Sequence, residues 1–84
     1  MTVRVLFFSL LQDIVGDSEI EVSIPDSGDG TTVTELLTTL YEKFPKLRDW
    51  ESKLLIAVDC EYADKNSTIK EGQEIALMPP VQGG

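Results

Sequence analysis

Residues 32–44 read TVTELLTTLYEKF, and this stretch decides the fold. Thr32-Val33-Thr34-Glu35 is a capping box: the Thr32 hydroxyl accepts from the Glu35 amide while the Glu35 carboxylate reaches back to the Thr32 amide. Behind it Val33, Leu36, Leu37, Leu40, Tyr41 and Phe44 recur with the three- and four-residue spacing of one helix face. An amphipathic helix of about three turns, halted by Pro45, is the consequence. With one long helix in the chain, the apolar stripe needs a sheet to lie on.

The flanking sequence supplies that sheet. Upstream, Glu19 to Ile24 (EIEVSI) alternates cleanly, so Ile20, Val22 and Ile24 face inward and Glu19, Glu21 and Ser23 face water. Thr2 to Phe8 (TVRVLFF) is rich in β-branched and aromatic residues and forms the first strand. Val3, Val5 and Phe7 share one of its faces, Leu6 and Phe8 the other, so the strand is either buried on both sides or offers one side to a partner. Between the two strands Leu10, Leu11, Ile14 and Val15 fall at helical spacing before Gly16, a short helix with a glycine cap. An antiparallel pair follows from strands this close in sequence. Pro25 to Gly30 (PDSGDG) reads as a surface loop.

Downstream, Lys46 to Lys53 reads as a mixed connector, with Trp50 as a lid at the core edge. Leu54 to Val58 (LLIAV) is a continuous apolar run, the pattern of a central strand covered on both faces. A short strand at EYAD, a turn at NSTI, a tight turn at Lys70-Glu71-Gly72-Gln73 and a last strand, EIALM, complete the chain. In that strand Ile75 and Leu77 lie on one side, Ala76 and Met78 on the other. The order defines an α+β protein of the β-grasp kind, with a mixed sheet of four to five strands and one main helix across it. A chain of 84 residues supports one such core. The expected division is a domain over 1–78 and an extended tail over 79–84.

Fifteen Asp and Glu oppose seven Lys and Arg, a formal charge of -8 spread along the chain. A field of that sign repels phosphate backbones and anionic lipid, so neither nucleic acid nor a membrane is an expected partner. There is no histidine and only one cysteine, which leaves no zinc ligand set, no internal disulfide and no His-based acid or base. Cys60 has no neighbouring cation or base in sequence to activate a thiol, and Asp59 and Glu61 read as solvated turn residues. The start MTVRVLFFSLL has no basic n-region and no small-residue cleavage site; it reads as the opening strand of a cytoplasmic protein.

The remaining feature is the ending, MPPVQGG, residues 78–84. Residues 79–84 reach at most about 20 Å when extended. Pro79 and Pro80 fix φ and hold the exit from the last strand straight, Val81 continues the stem, and Gly83 and Gly84 have no Cβ, so the backbone can enter a slot only as wide as a main chain. A stiff stem with a thin tip suits insertion into another protein's active site. Asp59 and Glu61 are a carboxylate pair that could serve acid-base chemistry but read as the solvated faces of a turn, and no phosphate-cradling loop or metal cluster competes with the tail as the reacting position.

VRVLFF, VTELL, LLIAVD followed by EY, EGQEIA and above all MPPVQGG together resemble the small subunit of molybdopterin synthase, a ubiquitin-like sulfur carrier, over essentially the whole chain. Thiamine-pathway carriers share the terminal GG but usually lack the double proline. Gln82 stands where Ser or Thr is frequent in the family, and the loop at DSGDG looks lengthened. The resemblance implies that the Gly84 carboxylate is adenylated by an E1-like partner using ATP and converted by a sulfurtransferase-supplied nucleophile to a thiocarboxylate. The large synthase subunit would then take sulfur from it for the pterin precursor of the molybdenum cofactor. On this reading the chain binds no cofactor or metal and is no enzyme itself; catalytic side chains belong to the large subunit, and the assembly is a heterotetramer. Strand parity puts Phe8 and Met78 on the sheet side away from the helix, and Tyr62 joins them as the expected docking surface. A protein modifier joined through Gly84 to a lysine amine, or a carrier for another pathway such as thiamine synthesis, shares the same activation chemistry, and a β-grasp interaction module with an inert tail is a third reading.

Overall fold

The computed structural model describes residues 1–25 and 30–80. β1 (Thr2–Phe7) and β2 (Glu19–Ser23) form the antiparallel pair, with Val3 opposite Val22 and Val5 opposite Ile20. The helix between them, α1 (Leu10–Val15), buries Leu11 and ends where the Gly16 amide bonds the Gln12 carbonyl at 2.7 Å. Gly16 takes φ +89°, the left-handed value that glycine adopts without a Cβ penalty.

α2 (Val33–Lys43) begins at Thr32 with both bonds of the capping box in place; the Thr32 amide donates to Glu35 Oε2 at 3.1 Å. Its stripe is the core: Val33, Leu36, Leu37, Leu40 and Tyr41 are buried against Val3, Val5, Phe7, Ile56, Ile75 and Leu77 of the sheet. Phe44 ends the helix half-buried, edge-on to Phe7 with ring centroids 6.4 Å apart.

The sheet has five strands in the order β2-β1-β7-β4-β5, adding β4 (Leu55–Val58), β5 (Glu61–Ala63) and β7 (Glu74–Met78). β7 runs parallel to β1 and antiparallel to β4, which makes the sheet mixed and puts the last strand at its centre. The turn into β7 closes with Gln73 N–H on the Lys70 carbonyl, and Gly72 supplies the positive φ it needs, +80°.

Three local expectations give way. NSTI is not only a turn: Thr68–Ile69 forms β6, which pairs antiparallel with β3 (Thr31–Thr32) in a second, two-stranded sheet and buries Ile69. Two-residue strands are too short to display a period of two. The connector after α2 is a 3-10 helix, Pro45–Trp50, with Pro45 in its first turn and Leu47 fully buried beneath it; Trp50 packs half-buried on the core. β4 is an interior strand of the sheet, between β7 and β5, yet only its inner face is covered by a layer, and Leu55 on the outer face is half-buried. Its apolar outer residues are therefore part of a surface.

Candidate functional site

That surface follows from side-chain parity and register. With Val5, Phe7, Ile75, Leu77 and Ile56 under the helix, Leu6, Ala76, Ala57 and Tyr62 form one cross-strand row on the opposite face, each opposite the next. Met78 lies opposite Leu55 in the neighbouring row. The Phe8 amide donates to the Leu77 carbonyl at 3.2 Å, so the β1–β7 pairing runs on past Phe7 and brings Phe8 to the end of β7.

Two alanines at the middle of this face, between larger side chains, leave a depression of about 240 Å³ lined by Phe8, Ala57, Cys60, Tyr62, Ala76 and Met78. Phe8 is 42% exposed and Tyr62 80%, high values for large apolar side chains on a small domain. The three residues singled out from sequence as a docking surface thus share one hollow. Ala57, Ala76 and Cys60 complete it, and no sequence pattern marks them, because an alanine matters here only for the volume it leaves empty.

The hollow has a rigid lip. Asp59 and Cys60 form the two-residue turn between β4 and β5, both at positive φ (+49° and +72°). The Asp59 carboxylate accepts the Glu74 amide at 3.0 Å and Gln73 Nε2 at 2.9 Å, and the Asp59 amide donates to the Glu74 carbonyl at 2.8 Å. This anchors the turn to the start of β7. Cys60 is exposed at the rim.

The other half of the same face is acidic. Arg4 lies between Glu19 (3.1 Å) and Glu74 (3.7 Å), opposite Glu21 in register, and Glu71 accepts the Thr2 amide at 2.9 Å. These ion pairs are about half exposed and contribute little to stability. Their excess of carboxylates borders the apolar hollow with negative charge.

Pro79 and Pro80 follow Met78 directly, half-buried, and having no N–H they cannot extend the ladder. The chain therefore leaves the sheet beside the hollow. Val81, Gly83 and Gly84 lie outside the described residues. Among the described residues no cluster of His, Cys, Asp or Glu is fit to hold a metal ion, and no helix is long and apolar enough to cross a membrane.

A mixed sheet in this order, crossed by one helix and carrying its C-terminal segment from the central strand, defines a ubiquitin-like β-grasp protein. The ThiS family model matches residues 5–84, and the chain belongs to that family. It is 36% identical to the molybdopterin synthase sulfur carrier subunit of Caenorhabditis briggsae, with 100% of this chain and 99% of the relative covered. Among solved structures, SAMP1 from Haloferax volcanii shares the fold with a TM-score of 0.83 at 24% identity, covering 100% of both chains. One chain of the complex of subunits 1 and 2 of the molybdopterin-converting factor from Helicobacter pylori 26695 matches with a TM-score of 0.68 at 26% identity, again over 100% of both chains.

Proposed function

We propose that this chain is the sulfur carrier subunit of molybdopterin synthase and that Gly84 is its reacting position. The observation that carries the reading is the apolar hollow at the root of the tail: Phe8, Tyr62 and Met78 form an uncovered surface from which Pro79 and Pro80 depart. A partner seated on that hollow would hold the tail within reach of its own active site. The full-length similarity to relatives named as sulfur carrier subunits, and to a subunit of a two-subunit molybdopterin-converting factor, supports the same reading.

The chemistry follows from the terminus. A carboxylate is a poor electrophile, so its oxygen first attacks the α-phosphorus of ATP on an adenylating partner, giving an acyl adenylate and releasing pyrophosphate. A hydrosulfide ion adds to the acyl carbon and expels AMP, leaving the thiocarboxylate; where a sulfurtransferase delivers the sulfur as a persulfide, the acyl disulfide first formed is cleaved to the same product by a thiol reductant. In the large subunit that sulfur displaces an oxygen leaving group of the pterin precursor, and water then cleaves the acyl–sulfur bond, which leaves the sulfur on the pterin and returns the Gly84 carboxylate. Acid, base and substrate-binding cations come from the partners, while this chain contributes the sulfur atom, a tail thin enough to thread at Gly83, and the docking face.

Intact-mass measurement after incubation with ATP, the adenylating enzyme and a sulfur source tests it. A rise equal to one oxygen replaced by one sulfur, lost when Gly84 is deleted, is the expected result. Attachment of the chain through Gly84 to lysines of other proteins would make it a modifier instead, and an unchanged mass under competent conditions would overturn both.

A further inference from the structure

Three glycines and three other residues take a positive φ among the described residues, and the two groups divide by place. Away from the hollow the chain meets this demand with Gly16, Gly30 and Gly72. Ser9 (+53°), Asp59 (+49°) and Cys60 (+72°) carry side chains instead. They lie in the turns at the two ends of β7, beside the hollow: Ser9 follows Phe8, whose amide bonds the Leu77 carbonyl, and the Asp59 amide bonds the Glu74 carbonyl.

Ser9 sits in a turn closed by the Leu11 amide on the Phe8 carbonyl at 3.1 Å. Its φ of +53° and ψ of -132° belong to the first central position of a type II′ turn, which glycine dominates. Cys60 is the second central residue of the β4–β5 hairpin turn, where both central residues have positive φ and glycine is again the favoured occupant. Asp59 offsets its own strain, because its carboxylate accepts the Glu74 amide and Gln73 Nε2. Ser9 and Cys60 have no such offset: both are exposed, and neither side chain makes a hydrogen bond among the described residues. A side chain held in this conformation costs stability that glycine would return.

Neither side chain returns a bond to its own fold, so what it contributes lies outside the chain. Phe8, next to Ser9, and Cys60 itself both line the hollow, which puts the two disfavoured residues on one surface. A serine hydroxyl both donates and accepts, which suits a polar rim, and a thiol packs as a small polarizable apolar group. We propose that Ser9 and Cys60 are specificity-determining contacts of the docking face, the Ser9 hydroxyl bonding a polar group of the large subunit and the Cys60 side chain packing on the apolar group seated in the hollow. The inference rests on the docking reading above and adds to it two side chains kept for the partner against the preference of the backbone.

Glycine and alanine variants of the full chain separate such contacts from a structural role, read by thermal melting and by calorimetric titration with the large subunit. Ser9→Gly and Cys60→Gly relieve the backbone, so each should raise the thermal midpoint by about 4 °C or more while raising the dissociation constant about fivefold. Ser9→Ala and Cys60→Ala keep the Cβ and remove only the hydroxyl or the thiol; they should lose the same affinity with the midpoint unchanged. Wild-type affinity in these variants, or affinity lost in the glycine variants without a rise in midpoint, would overturn the proposal. Met78→Asp reports on the docking reading itself. If it binds as the wild type does, the hollow is not the interface and both readings fall; if it binds weakly while the glycine and alanine variants keep wild-type affinity, this inference alone falls.

Discussion

Met78 and Tyr41 stand on opposite sides of the same sheet, and each carries a prediction at the scale of one side chain. Met78 is half-buried, with the helix-facing core behind the sheet and the hollow in front. Met78→Asp puts a charge into the hollow without opening a cavity in the core. Affinity for the large subunit should fall tenfold or more, about 1.4 kcal/mol, in calorimetric titration, while the thermal midpoint stays near that of the wild type. Unchanged affinity with an intact fold would remove Met78 from the interface. At Tyr41, burial first and Glu51 second push the phenol above its ordinary 10.0, against the opposing effect of Arg48. The unfolded chain therefore releases this proton before the native one does. The stabilisation is complete below 10.0 and is lost as pH rises through the elevated native value. Urea unfolding on the alkaline side of 10.0 should show stability declining in the wild type and a shallower decline in Tyr41→Phe.

At the scale of an element, α2 was the most legible part of the sequence, because its capping residues and its stripe are all local. Thr32→Ala should cost about 1 kcal/mol in chemical denaturation, and combining it with Glu35→Ala should cost less than the sum, since the two side chains complete one motif. The strands were legible for the same reason, through alternation in EIEVSI and EIALM. The 3-10 helix Pro45–Trp50 was not. Its one fully buried residue, Leu47, sits among charged neighbours with no repeat to mark a face. β3 and β6 escaped because two residues carry no period, and what holds them together is a pairing of Thr31 with Ile69 across the length of α2 and β4.

For the whole molecule, the distribution of charge predicts kinetics. Glu19, Glu21, Glu71 and Glu74 crowd the half of the outer face next to the hollow, so association with a basic partner is steered by the field. The association rate with the large subunit should fall steeply as salt shortens the screening length from about 10 Å, with the dissociation rate changing little; stopped-flow measurement across a salt series checks this. A salt-independent association rate would assign these carboxylates to solubility alone.

The amino-acid sequence by itself determined the helix, the order of the main strands, the two-faced character of β1 and β7, the absence of histidine chemistry and the Gly-Gly ending, because each is written in neighbouring residues. Only the tertiary structure decided that β7 lies between β1 and β4, that Ala57 and Ala76 hollow out the face shared by Phe8, Tyr62 and Met78, and that Ser9 and Cys60, both at positive φ, border that face. These depend on register between segments far apart in the chain, such as Val5 with Ile75. Such contacts are selected by the packing of the whole core, which no local periodicity encodes.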